Sequence, residues 1–254
     1  MLLVRLQSEI HKIFNVTLYL FQLFDATTLG RMATLIKSNS SSETNNIIDW
    51  EAETAVAPDI FRIPIARRFM TTPEIVVLTG ATGFLGRALL TRFRLSPKPI
   101  QVSQGRLHKG DLASPRLGST KSEASKIFAN ADVVIHNGAD ISFMKPSGSL
   151  KPANLEATKE LLRLSVPHQL SFHYIFAASV MHLTGQESFG CSEGYLATKW
   201  SSERCLEKVS DKYELPIWIH QPSSITGDGA PATDLMTNLL TYSRLMKAVP
   251  DTGL

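Results

Sequence analysis

A glycine-rich turn at residues 79–86, TGATGFLG, is the strongest chemical signal in the chain. It follows an apolar run typical of a buried strand and precedes a stretch with helical spacing. Glycines three residues apart at such a turn let a pyrophosphate approach the backbone and rest on the first amides of the helix. Glycines at this spacing also occur where a strand turns into a helix without binding any ligand. The residues predicted to bind a dinucleotide are Gly80, Thr82, Gly83, Phe84, Leu85 and Gly86.

Tyr195 and Lys199 form a second candidate site, within GYLATKW. They are four residues apart in a predicted helix, so both side chains lie on one face. A tyrosine with its ordinary pKa of about 10 is a poor acid–base group at neutral pH. The lysine charge one turn away is expected to lower that pKa, and the same lysine is a candidate to bind the nicotinamide ribose. The alternative is a half-buried tyrosine beside a lysine with a buried stem; the upstream glycine turn favours the catalytic interpretation.

Apolar runs alternate with amphipathic stretches from residue 73 onward. Strands are predicted at residues 74–80, 132–138, 172–180 and 216–227, and helices at residues 122–131, 154–165 and 195–210. This alternation is typical of a parallel sheet covered on both faces. The predicted fold is therefore α/β, with a doubly wound parallel sheet.

A small helical segment is predicted before this sheet. Apolar residues at helical spacing define two helices: Leu2, Leu6, Ile10 and Ile13 in the first, and Leu29, Met32 and Ile36 in the second. Thr28 is a candidate N-cap for the second helix, and the polar run Lys37–Asn46 reads as a linker. The predicted division is residues 1–36 as the helical segment, 37–72 as linker and 73–254 as the main domain.

Composition excludes several classes of protein. The net charge is +3 over 254 residues, too balanced to argue for a nucleic-acid or membrane partner. Cys191 and Cys205 are too few for a disulfide framework or a metal site, and His11, His108, His168 and His173 have no metal-ligand spacing. No run reaches the roughly 18 apolar residues of a membrane helix. The expectation is a soluble, cytoplasmic protein, with His136 a hydrogen-bonded core histidine.

Further short motifs follow in the order typical of the short-chain dehydrogenase/reductase superfamily, which the glycine pattern also resembles. GDL supplies Asp111 and Leu112 for the adenine, and HNGAD supplies Asn137 and Ala139 beside the cofactor. NLEAT, with Asn154 and Thr158, resembles the helix that braces the active site. QPSSITG, with Pro222 and Ser223, resembles the loop that closes over the nicotinamide. Together they imply an extended, Rossmann-like member of that superfamily.

From residue 47 to 250 the chain closely resembles the thioester reductase domains of fungal polyketide synthase–nonribosomal peptide synthetase hybrids. The resemblance is carried by IDWEAET, VVLTGATGFLGRALL, GDLASPRLG, ADVVIHNGADISFMK, SLKPANLEATKELLRLS, GYLATKWSSERCLE and LPIWIHQPSSITGDGAP. The N-terminal segment is similar to the latter half of the carrier domain that precedes such a reductase.

This resemblance implies release of an acyl or peptidyl thioester from phosphopantetheine, with NADPH as hydride donor and an aldehyde or alcohol as product. Tyr195 matches the proton donor, and Lys199 the residue that tunes it and binds ribose. One branch of the family instead performs a redox-independent Dieckmann cyclisation to a tetramic acid. The family's attachment serine is absent from this sequence, so the thioester is expected from a carrier domain in trans.

The chain departs from the family at three places. The catalytic serine or threonine aligns with Ala177; Ser179, two residues later and on the same face of an extended strand, is the candidate replacement. The second strand and its NADPH-binding arginine are shortened, leaving Arg92, Arg94 or Arg106 as candidate phosphate ligands. The C-terminal substrate-binding part is reduced. These departures keep open the alternative of an inactive or purely interacting megasynthase fragment.

Overall fold

The computed structural model describes residues 2–16, 18, 22–23, 26–40, 49–56, 60, 75–95, 108–142, 145–176, 194–227, 229–231 and 234–249. The strands are β1 (Val76–Thr79), β2 (Val133–His136), β3 (Ser171–Ile175) and β4 (Ile217–His220). The helices are α1 (Leu2–Phe14), α2 (Leu29–Ser40), α3 (Trp50–Glu53), α4 (Phe84–Arg94), α5 (Lys121–Asn130), α6 (Ser147–Lys151), α7 (Ala157–Ser165), α8 (Gly194–Tyr213) and α9 (Leu235–Met246). None of these helices is long and apolar enough to cross a membrane.

The four strands form one parallel sheet in the order β1-β2-β3-β4. Helices α4 and α5 connect β1 to β2, α6 and α7 connect β2 to β3, and α8 connects β3 to β4. This arrangement confirms the predicted parallel α/β fold. The described strands extend from β1 in one direction only, and residues 99–105, which correspond to the shortened second strand of the family, lie outside the described residues.

Burial alternates along β2 and β3, so one face of the sheet is buried more deeply than the other. Val134, Phe172 and Tyr174 are at most 1% exposed and face α7 and α8, which bury Leu161 and Leu206 against them. Strand β4 ends at His220 rather than continuing to residue 227 as predicted. Pro222 has no amide hydrogen to give to a ladder, so the apolar run ends as a loop.

The N-terminal helices form a small cluster of their own. Ile10, Val16, Leu18 and Leu23 are buried there, with Leu6, Met32, Leu35 and Ile36 packed against them. Thr28 accepts a hydrogen bond from the amide of Arg31 (3.3 Å), which confirms the predicted cap. Two residues of the predicted apolar stripes are instead exposed, Ile13 by 69% and Leu29 by 85%, because each lies in a terminal turn beyond the cluster.

Part of the predicted linker at residues 37–72 packs against the main domain. Helix α2 continues to Ser40, and residues 49–56 and 60, here called the anchor segment, contact α8. The rings of Trp50 and Trp200 meet edge to face at 5.0 Å, and Lys208 donates to the Thr54 hydroxyl (2.8 Å). Long-range contacts thus order residues 49–56 and 60 within the predicted linker, and the division into three units stays a prediction.

Replacing Trp50 by alanine is expected to lower the free energy of unfolding by about 2 kcal/mol, since an edge-to-face aromatic pair and half-buried apolar surface are both lost. Urea unfolding measures the effect. Glu51→Ala is the matched control, because the Glu51 side chain is 90% exposed and its ion pair with Lys208 is solvated. Equal stabilities of the two variants would contradict a stabilising anchor segment.

Candidate functional site

The turn after β1 requires glycine at two of its three glycine positions. Gly80 has φ of 67°, and a Cβ there would lie 2.7 Å from the Cα of Gly138 at the end of β2. A Cβ on Gly86 would lie 2.1 Å from the carbonyl oxygen of Gly80. Gly83 is less constrained, with φ of −72° and a nearest contact of 3.3 Å. The turn therefore packs backbone against backbone, with Gly138 as a partner that the sequence prediction did not include.

Helix α4 begins with amides that point out of the turn without intrahelical acceptors. The amide of Gly83 donates to Gly80 O (3.0 Å), and the helical ladder starts with Arg87 N donating to Gly83 O (3.0 Å). The amides of residues 84–86 precede that ladder, no side chain caps the helix, and its first turn has no acidic residue. This helix end suits an anion, and the neighbouring Thr82 is exposed.

The predicted adenine residues lie beside this turn in different ways. Leu112 contacts the end of β2, with its Cδ1 3.0 Å from the Cβ position of Gly138. The carboxylate of Asp111 accepts from Ala113 N (3.0 Å) and Ser114 Oγ (2.9 Å), and these bonds hold the pKa of Asp111 below its ordinary value. Asp111 is exposed, so its remaining lone pairs face solvent.

Residues after β2 support the turn rather than face solvent. The Asn137 amide donates to Gly80 O (3.3 Å), and Ala139 is half-buried beside it. The backbone of Asp140 is held on both sides by the Asn154 side chain, whose Oδ1 accepts from Asp140 N (2.8 Å) and whose Nδ2 donates to Asp140 O (3.1 Å). The segment after β2 is thus fixed to both the glycine turn and the helix before α7.

Asn154 lies in a π-helical turn, Pro152–Glu156, between α6 and α7. Pro152 cannot donate a helical hydrogen bond, so the helix opens locally and continues after one wide turn. The Asn154 amide also donates to Oγ1 of Thr198 (3.1 Å), which lies on α8. Gly194 allows this approach: a Cβ there would lie 2.4 Å from the amide nitrogen of Ser147. The sequence named Asn154 as a bracing residue, but it did not predict the π turn or Gly194.

Tyr195 and Lys199 lie in the first turns of α8, at the carboxyl edge of the sheet. Lys199 is 4% exposed; its Nζ donates to the carbonyl of Ile175 at the end of β3 (2.9 Å) and lies 4.3 Å from the ring centroid of Tyr174. Strand β3 is two strands from β1, or about 10 Å at the usual spacing. The lysine and the glycine turn therefore share one edge, and Tyr195 is 8% exposed there.

Burial dominates the ionisation of both residues. Desolvation raises the pKa of Tyr195, and the opposing charge of Lys199 only partly offsets it. The prediction of a lowered tyrosine pKa is therefore wrong: the lysine acts in the expected direction, but removal of water costs the phenolate more. Desolvation likewise lowers the pKa of Lys199 to about 8. At neutral pH the phenol is protonated and the ammonium is mostly charged.

Lys199 gives the folding stability a pH dependence of defined sign. Its pKa is about 8 in the folded chain against an ordinary 10.5, so between these values the unfolded chain binds more protons. The free energy of unfolding therefore rises with pH in that range. Relative to Lys199→Met, the wild type is expected to gain about 1 kcal/mol between about pH 7 and pH 9. Urea unfolding of both proteins measures the difference; parallel pH profiles would contradict it.

The loop after β4 crosses the carboxyl edge of the sheet. It begins beyond His220 with Pro222 and the exposed Ser223, and it reaches Gly227, whose Cβ position is 3.8 Å from Cζ of Phe84 at the start of α4. The loop thus extends from the edge strand back to the glycine turn. This position suits a loop that covers a cleft along the carboxyl edge of the sheet.

Two further predicted residues, Arg92 and Arg94, lie away from the glycine turn. Arg92 and Arg94 are exposed in the last turn of α4, about 12–15 Å along the axis from its first residue, because a helix rises about 1.5 Å per residue. This distance separates both from the amides of the glycine turn, and their role as ligands of the NADPH 2′-phosphate stays a prediction. Ser179, Ala177 and Arg106 lie outside the described residues.

A parallel sheet with an amide-rich helix start after its first strand is typical of α/β domains that bind nucleotides. The NAD-binding family described as Male sterility protein matches residues 97–253. The chain belongs to this family, so a nicotinamide dinucleotide is the class of cofactor for its site.

Whole-chain relatives are fungal megasynthases. A polyketide synthase–nonribosomal peptide synthetase of Aspergillus clavatus is 52% identical over 99% of this chain, and the chain spans 7% of that protein's length. The resemblance inferred from sequence is confirmed.

Solved structures show the same Rossmann-like fold. The terminal R domain from the myxalamid polyketide synthase–nonribosomal peptide synthetase pathway has a TM-score of 0.58 at 23% identity, over 78% of this chain and 61% of that one. An archaeal thiolation–reductase di-domain of a nonribosomal peptide synthetase has a TM-score of 0.55 at 16% identity, over 93% and 61% of the two chains.

Proposed function

We propose that this domain is an NADPH-dependent thioester reductase that releases a carrier-bound polyketide or peptide as an aldehyde. The observation that carries the proposal is the common edge: the acceptor-free amides at the start of α4 and the Tyr195–Lys199 pair both lie at the carboxyl ends of the strands. In open α/β sheets, ligands bind outside those ends. The relatives, named as polyketide synthase–nonribosomal peptide synthetases, support this substrate class.

The chain has groups that fit the cofactor. The amides of residues 84–86 suit the pyrophosphate, and the backbone packing at Gly80 and Gly86 leaves no side chain in its way. Asp111 and Leu112 are proposed for the adenine, and Asn137 and Ala139 for the middle of the dinucleotide. Pro222 and Ser223 are proposed to cover the nicotinamide from the loop after β4.

When bound, the nicotinamide supplies a hydride to the thioester carbonyl carbon. Tyr195 donates its proton to the carbonyl oxygen as the negative charge develops there, for which a protonated phenol is the required form. Return of that proton to the tyrosine restores the C=O bond while the C–S bond breaks and the thiolate takes up a proton. The products are an aldehyde and the free pantetheine thiol.

Lys199 supports this transfer by its charge and position. Its ammonium group lies at the carbonyl end of β3, stabilises the phenolate left after proton donation and is proposed to donate to the nicotinamide ribose. Ser179 is proposed as the second hydrogen-bond donor to the developing oxyanion. A phosphopantetheinyl carrier domain is the proposed partner, and the likeness to a solved thiolation–reductase di-domain supports it.

The proposal is tested by titrating the purified protein separately with NADPH and NADH and then adding a pantetheinyl thioester. We expect tighter binding of NADPH, loss of reduced-nicotinamide absorbance and an aldehyde in the mass spectrum. Binding of neither cofactor would overturn the reductase proposal. A tetramic acid formed without any cofactor would replace it with Dieckmann cyclisation.

A further inference from the structure

A buried histidine connects the glycine turn to the helices behind the sheet. His136 is the last residue of β2, is 1% exposed, and lies in register between Thr79 of β1 and Tyr174 of β3. Its Nδ1 is 2.8 Å from Oγ1 of Thr79, and its Nε2 is 3.1 Å from Oγ1 of Thr158 on α7. Both ring nitrogens are therefore hydrogen-bonded, which confirms the predicted core histidine, but the two partners belong to different layers of the fold.

The surrounding donors determine which nitrogen has the proton. The Thr158 hydroxyl donates to Asn154 O (2.7 Å), so it accepts from His136, and Nε2 must be protonated. The amide of Gly138 donates to Oγ1 of Thr79 (3.0 Å), which leaves the Thr79 hydroxyl proton for Nδ1 of the ring. Each group therefore donates to the next in a single direction. The series begins at the Gly138 amide after β2, passes through Thr79 and His136, and ends at the Asn154 carbonyl in the π-helical turn.

Among the described residues, the surroundings of this ring disfavour a second proton. Burial lowers the pKa of His136 to about 3, and the positive charge of Lys199 on α8 acts in the same direction. The facing groups on β3 are aromatic: the ring centroids of Phe172 and Tyr174 lie 6.4 Å and 5.5 Å away. Burial raises the pKa of Tyr174, so that group stays neutral as well. One tautomer therefore persists over the working pH range.

The same network continues to the proposed catalytic helix. Asn154 donates to Oγ1 of Thr198, and the Thr198 hydroxyl donates to the carbonyl of Tyr195 (2.9 Å). Thr198 also immediately precedes Lys199. A series of hydrogen bonds thus links Thr79 to the start of α8. It passes through His136 and Thr158 to Asn154, and from Asn154 to Thr198.

We propose that His136, with its proton on Nε2, is a positioning residue that fixes the glycine turn relative to Tyr195 and Lys199. The role rests on the dinucleotide-dependent reduction proposed above. The turn holds one end of the cofactor and α8 holds the proton donor, so their separation sets the distance for hydride transfer. A misplacement of about 1 Å is enough to cost about a hundredfold in rate.

The test replaces His136 by phenylalanine, which keeps a ring and removes both hydrogen bonds. With NADPH and a pantetheinyl thioester, kcat is expected to fall about 10- to 100-fold per folded molecule. Affinity for NADPH is expected to change much less, because the amides of α4 are untouched. His173→Phe is the matched control, since His173 lies on the opposite face of β3 against His220 and Trp218, and it should retain kcat.

Two further variants keep the test decisive if His136→Phe does not fold. His136→Asn retains a polar atom near Thr79, and His136→Gln retains one near Thr158; each is expected to give an intermediate kcat. Normal kcat per folded molecule in all His136 variants would overturn the role. A wild type that binds no NADPH would remove the proposed function, whereas an active wild type with an equally active His136→Phe variant would remove this role alone.

Nitrogen NMR of histidine-labelled protein tests the arrangement without any substrate. His136 is expected to show the Nε2–H tautomer and no protonation between about pH 5 and pH 8, while His173 serves as the internal control on the other face. A proton on Nδ1, or titration near the ordinary histidine pKa, would overturn the proposed hydrogen-bond direction.

Discussion

Gly86→Ala is expected to abolish dinucleotide binding and to lower the free energy of unfolding by about 3 kcal/mol or more. The added methyl group would lie 2.1 Å from the Gly80 carbonyl oxygen and 2.8 Å from the Cα of Ala81. Both obstacles are backbone atoms that cannot rotate away, so α4 would have to move outward by about 1 Å. That movement takes the amides of residues 84–86 away from the pyrophosphate position. Calorimetric titration with NADPH and urea unfolding measure the two effects.

Gly83→Ala is the matched control in the same turn. Its φ of −72° suits any residue, and the added methyl group would meet only Gly80 O, at 3.3 Å. We expect folding close to that of the wild type and at most a modest loss of NADPH affinity. Equal behaviour of the two alanine variants would show that close packing of the helix on the turn is not what the third glycine provides.

Tyr195→Phe is expected to reduce turnover of a pantetheinyl thioester about a thousandfold, since general acid catalysis contributes about 10²- to 10⁴-fold. The ring is retained and only the hydroxyl is lost, so NADPH affinity and folding should change little. Stopped-flow loss of reduced-nicotinamide absorbance at saturating NADPH separates the chemical step from binding. Turnover that survives the substitution would remove Tyr195 from the mechanism.

Tyr213→Phe provides the control on the same helix. Tyr213 is the last residue of α8, and its hydroxyl donates to the carbonyl of Ile60 in the anchor segment (2.9 Å). Its loss should cost about 1 kcal/mol of stability, as for a typical hydrogen bond, and should leave turnover unchanged. The pair of variants therefore separates a hydroxyl used in chemistry from one used in folding.

Local patterns predicted the fold well because each strand and helix has its own periodicity. Alternating burial at Phe172 and Tyr174 follows from the period of two in a strand, and the spacing of Tyr195 and Lys199 follows from the helix. The parallel sheet then brings the strand ends together without further information. These features need only residues that are neighbours along the chain.

The features that were missed depend on residues far apart in sequence. Trp50 packs on Trp200, so a contact between distant residues orders part of the stretch predicted as a linker. The pKa of Tyr195 is set by how much of α8 is buried, which no local spacing reveals. Pro152 was an available signal for the π-helical turn, since proline in a helical run requires a local break. The hydrogen bonds of His136 join β1 and β2 to α7, and no local sequence pattern predicts them.

The π-helical turn at Pro152–Glu156 makes this stretch sensitive to a change in chain length rather than in side-chain type. Removing one residue would turn the wide turn into ordinary α-helix and rotate the preceding residues by about 100° relative to α7. Asn154 would then face away from Asp140 and Thr198. Deletion scanning should therefore find a single-residue gap here more harmful than most substitutions, and homologous domains exchanged at this point must keep the same residue count.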